Sequence, residues 1–193
     1  MDAIETLMTE HRLIERAIDA LVGFVDALCQ KGSTDDKVEL AKFVTFIAEF
    51  ADGHHHGKEE DILFAAMVEA GFPRRAGPIA VMLGEHDQGR RHVAALRQLA
   101  GQVAPWTAHD RAAIREAACA YADLLRAHIH KEDAILYPMA EQRLPAEVME
   151  RVNADCEAYE TRKTGSGERE RLGALAEELV ARYAPALERP CTS

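Results

Sequence analysis

The chain has 193 residues, 48% of them apolar, enough to bury one substantial core and to make a single domain with an appendage the natural expectation. Its 23 basic and 33 acidic side chains leave a net charge of −10, which argues against binding a nucleic-acid backbone or an anionic membrane surface. Cys29, Cys119, Cys156 and Cys191 are widely spaced with no CxxC pair; they read as small buried apolar residues plus one tail thiol in a reducing compartment, and a thiolate zinc site is disfavoured.

Ala, Leu, Glu and Arg dominate, and no run alternates apolar with polar residues for long, so the elements to expect are helices. The first spans about Ile4 to Cys29. Ile4, Leu7, His11, Ile14, Ile18, Leu21, Val25 and Leu28 recur there at steps of three and four, one face of a helix. Gly32-Ser33-Thr34-Asp35 ends it and offers a cap to the second, from about Asp36 to Glu69. That helix has an inner stripe of Leu40, Val44, Ile47, Ala51, His55, Glu59, Ile62 and Ala66, and Gly71-Phe72-Pro73 breaks it. The third starts near Gly77-Pro78, proline suiting a first turn, and ends around Gly101; Ile79, Met82, His86, Val93 and Leu96 share its stripe.

After a loop at Pro105-Trp106-Thr107, a fourth helix runs from about Ala108 to Gln142, with Ile114, Tyr121, Leu124, His128, Glu132 and Ile135 facing inward. Pro138 should kink or stop its last turn. Beyond Leu144-Pro145, Ala146 to Lys163 and Glu168 to Tyr183 are each amphipathic and are separated by Thr164-Gly165-Ser166-Gly167. Met149, Val152, Cys156 and Tyr159 mark one apolar edge, and Leu172, Leu175, Leu179 and Tyr183 the other. Pro190 to Ser193 reads as a disordered end. Short connections between long amphipathic helices predict an all-α fold: an up-down-up-down four-helix bundle over residues 1–144, with an appended C-terminal helical hairpin over 145–193 packed on it.

Met1-Asp2-Ala3-Ile4-Glu5 lacks the basic start and apolar run of a secretory signal, and no stretch is long and apolar enough to span a bilayer. A cytoplasmic location is expected, with neither a membrane nor a nucleic acid as partner.

Nine histidines are present, and their placement carries more than their number. His11, His55, His86 and His128 fall on the apolar stripes of four successive helices. One such histidine is ordinarily a hydrogen-bonded core residue, but four buried together need shared partners, and a metal centre supplies them. His55 and Glu59 are four apart, as are His128 and Glu132, so each pair projects from one helix face. An imidazole can then hold one metal while the neighbouring carboxylate bridges to a second. Imidazole with carboxylate and no thiolate suits iron. His56 with Glu60 is an alternative register, but its stripe, with Gly53, is more polar, so His55 and Glu59 are preferred. His54 and His56 are expected at the surface, His130 exposed or behind a ligand, and His92 and His109 solvated.

Four segments carry a family resemblance: Glu10-His11; His55-His56-Gly57-Lys58-Glu59-Glu60-Asp61-Ile62-Leu63-Phe64; Glu85-His86-Asp87; and His128 through Glu132 to Tyr137-Pro138. Over roughly residues 1 to 142 the chain resembles the hemerythrin-like, or HHE cation-binding, family. The resemblance implies a di-iron centre with His11, His55, His86 and His128 as terminal ligands and Glu59 and Glu132 as bridges. It also implies an oxo or hydroxo group and a position for a small ligand. Oxygen-carrying members have a fifth histidine one turn after the one on the third helix, where this chain has Arg90. That departure speaks against simple reversible oxygen carriage, and Arg90 would instead favour an anionic ligand such as peroxide.

A ferritin-like oxidase would show Glu-x-x-His on paired helices; this chain has His-x-x-x-Glu. Two functions of different class follow. One is a di-iron protein that binds or reduces a small ligand (oxygen, nitric oxide or peroxide) in stress response or sensing. The other is an iron store, buffer or sensor without turnover. No catalytic residue and no protein partner is assigned, and Tyr159 is read as core.

Overall fold

The structure, a computed structural model, describes residues 2–30, 36–163 and 167–183. The turn read at Gly32–Asp35, most of the Thr164–Gly167 separator and the tail with Cys191 lie outside the described residues. Everything regular among the described residues is helical. Helix α1 (Ala3–Leu28) starts at Asp2, whose side chain accepts from the Glu5 amide, and buries the whole predicted stripe from Ile4 to Leu28. Helix α2, residues 37–69, is capped by Asp36 accepting from the Glu39 amide. It ends at Gly71, whose φ of 97° only glycine adopts readily. Helix α3 (Gly77–Ala100) carries Pro78 in its first turn. Helix α4, residues 108–143, opens on a reciprocal Thr107–Asp110 capping box. Helices α5 (Ala146–Lys163) and α6 (Glu168–Tyr183) follow.

Two of these rods are not uniform. In α2, α-helical turns over Lys37–Phe46 give way to π-helical stretches at Ile47–His56 and Glu59–Leu63 before α-helix resumes at Phe64–Glu69. In α4 a π stretch at Glu132–Leu136 sits between Ala108–Lys131 and Tyr137–Arg143. The expectation that Pro138 would stop the helix fails, because the π stretch precedes it and Pro138 falls in the first turn of the α-helical piece that continues to Arg143. The same stretch breaks the α-period. Ile135, expected inside, is 51% exposed, and Leu136 and Tyr137 are buried in its stead.

Helix α3 packs along α4, α1 against α4 and α6, and α2 against α3. The apolar interior has two parts. One gathers Ile14 to Leu28 of α1, Phe43 and Phe50 of α2, Leu96, Ile114 and Leu125; Leu172, Ala176 and Leu179 of α6 join this same core. The other gathers Ile4, Leu7, Leu63, Met67, Ile79, Met82, Leu136, Tyr137, Val152 and Cys156. Fully burying a leucine or phenylalanine stabilises by roughly 1.5–3 kcal/mol, so both parts strongly favour the fold. On each of α1 to α4 a band of buried polar residues separates them: Glu10 and His11, His54 to Glu59, His86, then His128 and Glu132. The cysteines are less uniform than expected: Cys156 is buried, Cys119 is half-buried and Cys29 is exposed. No helix among the described residues is long and apolar enough to cross a membrane.

Candidate metal centre

The buried band begins with a local geometry that an α-helix does not offer. Three consecutive residues on an α-helix point about 100° apart, so only one of His54, His55 and His56 should face a core. All three are buried, at 2%, 1% and 5% exposure: they lie in the π-helical stretch of α2, whose i→i+5 bonds wind more residues into each turn, and Tyr159 and Glu160 of α5 cover His54. The expected surface placement of His54 and His56 is therefore corrected. The only sequence signal for it was the run of three histidines itself.

Two groups of side chains converge. His11, His55, Glu59 and Glu132 form one; His56, Glu59, His86 and His128 form the other, and within each group one ligating atom per residue lies within 4.8 Å of the rest. Every ligand named from the sequence is in this band, and His56 joins them. Both carboxylates reach across the two groups. Glu132 Oε2 lies 3.3 Å from His11 Nε2 and 3.1 Å from His128 Nε2; Glu59 Oε2 lies 3.7 Å from His55 Nε2 and 3.5 Å from His86 Nε2. His86 Nε2 and His128 Nε2 are 3.0 Å apart, and the His56 and His86 rings stack with centroids 3.7 Å apart.

The outward nitrogens are just as ordered. Each Nδ1 meets its own carboxylate: His11 with Asp133 at 2.7 Å, His55 with Glu10 at 2.9 Å, His56 with Asp52 at 3.3 Å, His86 with Glu60 at 2.7 Å and His128 with Glu85 at 2.9 Å. An Nδ1–H donating to a carboxylate leaves the Nε2 lone pair facing inward and makes it more basic, which is the state a metal ligand needs. Each carboxylate in turn touches a cation. Arg12 holds Asp133, Lys58 holds Glu10, Arg90 holds both Asp52 and Glu60, and Lys131 holds Glu85.

Charges at the centre are poorly balanced by protein alone. Glu59 Oε2 and both Glu132 carboxylate oxygens are buried without a hydrogen-bond partner among the described residues, a costly state for a carboxylate. Burial and the neighbouring Glu132 push Glu59 well above the usual carboxylate range. Glu132 is driven low: burial would raise it, and His128 and His11 outweigh that. Burial would lower His128, but Glu132 and Glu85 carry it up to about 9, while burial takes His55 down to about 4. A cation between the carboxylates would relieve this, and an imidazole–carboxylate donor set without sulfur suits iron-like divalent metals. The residues present fit such a group.

A family model, the hemerythrin HHE cation-binding domain, matches residues 2–140. The chain belongs to that family. No curated relative and no solved structure matches it. The hemerythrin domain thus spans α1 to almost the end of α4, and α5 and α6 lie beyond it.

Within this hemerythrin domain Arg90 does not reach the ligand atoms. Its guanidinium bonds Asp52 and Glu60 at 2.8 and 2.6 Å and Asp87 at 3.1 Å, so it steadies the carboxylates behind His56 and His86. A cavity of about 110 Å³ lies beside it, lined by Ile47, Val93, Tyr121 and Leu125 as well as by His56 and His128. On the opposite flank the Tyr137 hydroxyl donates to Glu59 Oε1 at 2.6 Å, lies 3.4 Å from His11 Nε2, and its ring stacks on that imidazole. Sequence reading passed over Tyr137, which the α-period does not place inside. A third group, Glu10, His54 and Glu160, already holds a cation: the Lys58 ammonium, 2.6 Å from Glu10 and 2.9 Å from Glu160. His130 is exposed, as is His109, and His92 is half-buried.

Proposed function

We propose that residues 1–144 form an up-down-up-down four-helix bundle that holds two iron ions between its helices, with 145–193 as a helical extension, and that the centre binds or reduces a small ligand such as oxygen, nitric oxide or peroxide. The observation that carries this is the unequal division of imidazoles: His56, His86 and His128 in one group, His11 and His55 in the other, with Glu59 and Glu132 reaching both. His56 takes the part that Arg90 cannot. The side with fewer imidazoles is then the place for an external ligand, and the Tyr137 hydroxyl, which donates to Glu59, stands on that side. Bound iron would supply one-electron steps between ferrous and ferric states and a coordination position for the ligand.

The protein's own contribution is orientation and dryness. The five Nδ1 contacts fix the rings, two apolar core layers seal the band above and below, and Tyr137 offers its O–H toward Glu59 in a water-poor setting. An anionic ligand attracted by Arg90 is not part of this reading, because Arg90 is already committed to three carboxylates. The exposed Cys29 thiol is compatible with a reducing, cytoplasmic setting. The test has two steps. Protein grown with iron is expected to carry about two iron atoms per chain. Anaerobic addition of oxygen, nitric oxide or peroxide to the ferrous form should then change its optical spectrum. A chain that holds two irons but ignores all three reagents would be an iron store or sensor.

A further inference from the structure

The helices beyond the family domain touch the centre through one buried cation. Lys58, on α2, is 1% exposed, and its ammonium is shared between Glu10 of α1 and Glu160 of α5. The other oxygen of Glu10 is the one that accepts from His55 Nδ1. Arg169 of α6 lies within 3.8 Å of Glu10 and 4.0 Å of Glu160, so both appended helices bear on the same carboxylates. The contact is anchored next door. Tyr159 donates to the Gly53 carbonyl at 3.0 Å, inside the π-helical stretch that presents His54 to His56. It lies so close over Gly57 that a Cβ there would sit 1.9 Å from its hydroxyl oxygen.

We propose that Glu160, outside the hemerythrin domain, is a positioning residue for the His11–His55 side of the centre: by taking half of the Lys58 charge it leaves Glu10 free to polarise His55. The sign follows from electrostatics. With Glu160 present, Glu10 keeps most of its negative charge for the His55 N–H, and a stronger acceptor there makes Nε2 a better donor to a metal. Without it, Lys58 presses wholly on Glu10, the His55 hydrogen bond weakens, and one uncompensated positive charge stays near the cations the site is to hold. Tyr159 and Glu160 are adjacent on α5, so the segment that braces the π stretch also sets this charge balance. The inference rests on the metal-binding reading above.

The variant Glu160→Gln keeps size and removes the charge, and Glu160 is only partly buried, so the full-length chain should fold. Titration with cobalt(II), read by its visible ligand-field bands, should show one of two affinities weakened about tenfold, the scale typical of a perturbed partner behind a ligand. The other should stay within about twofold. In the metal-free protein the His55 Nδ1–H proton resonance should move upfield, a readout that needs no metal. In a Lys58→Met background the effect of Glu160→Gln on affinity should fall below about twofold. Glu177→Gln, which breaks only the surface pair with Arg16, is the control and should change neither readout. Unchanged affinities with an unmoved resonance overturn the proposal, and so does a tenfold loss that persists without Lys58. Wild-type protein that takes up no cobalt or iron sinks the metal reading; the proton resonance then still decides whether Glu160 acts on His55.

Discussion

His56 and His54 flank His55, and all three are buried, yet they belong to different groups. His56 stacks on His86 and bonds Asp52; His54 lies toward Glu10 and Glu160, a position already occupied by Lys58. His56→Ala should therefore lower iron from about two atoms per chain to about one, whereas His54→Ala should leave two. Glu132→Ala, which removes a carboxylate that reaches histidines of both groups, should leave fewer than one. Elemental analysis after iron-replete growth decides it, and a His56→Ala protein with full iron would restore the simple α-helical register. His11, His86 and His128 were legible because they lie in α-helical turns, and the apolar stripe also carried to His55, Glu59 and Glu132 at the π stretches. His56 and Tyr137 were hidden because π stretches start before them, and period counting carries an α-phase through a turn that lacks it.

At the scale of helices most starts and stops were legible, although Asp36 and Thr107, read as helix and loop, are the caps, and Pro138 does not stop α4. Asp36, Thr107 with Asp110, Pro78 and Gly71 all stand where local chemistry puts them. The irregular interior of α2 had no comparable mark, because nothing in the sequence tells that Gly57 is room for Tyr159. Gly57→Ala tests that reading. Its Cβ would meet the Tyr159 hydroxyl at 1.9 Å and Cζ at 2.9 Å, so the Tyr159 ring must give up its bond to Gly53, or α5 or the π stretch must move, at a cost of roughly 1–3 kcal/mol. Urea midpoints should show that loss, and a smaller one in a Tyr159→Phe background, where the nearer clash is gone. Equal losses in both backgrounds would mean that the strain lies elsewhere.

For the whole molecule, the sequence conveyed an all-helical chain of net charge −10 with an apolar stripe along each helix, but not that the core has two parts or that α6 shares the larger one with α1. Leu172 and Leu179 look the same in sequence whether they cover a bundle or complete it. The polar band between the layers sets the pH behaviour of the metal-free protein. Burial lowers His55, to about 4, and also lowers His56 and His86. Their contribution is present above the unfolded value near 6.5 and is lost as pH falls toward 4. His128, raised to about 9, and His11, also raised, act oppositely: their contribution is present below about 6.5 and is lost as pH climbs through 9. Glu59, pushed up, adds to the alkaline loss and offsets one of the three acid-side histidines. Stability of the metal-free protein should thus peak near pH 6.5. A displacement as large as that of His55 or His128 corresponds to roughly 3 kcal/mol. Urea midpoints at about pH 5, 6.5 and 8.5 test the peak, and a midpoint still rising from 6.5 to 8.5 would contradict the raised His128.

The π stretches also bear on how this chain can vary by descent. A π turn amounts to an α-helix carrying one surplus residue, so the arrangement of His55, His56 and Glu59 stands a single codon away from dissolution. Loss of any one codon between positions 47 and 56 would let an ordinary i→i+4 ladder close over that part of α2. Residues beyond the closed turn would keep their phase, but those between the loss and the end of the old π turn would shift by about 100°, taking His55 or His56 off the buried band while every helix still forms. The same loss in the α3–α4 connection, residues 101–107, would leave the buried band intact. In-frame gaps in related chains should accordingly be rare in the first place and tolerated in the second, although both lie in a protein that would look equally helical.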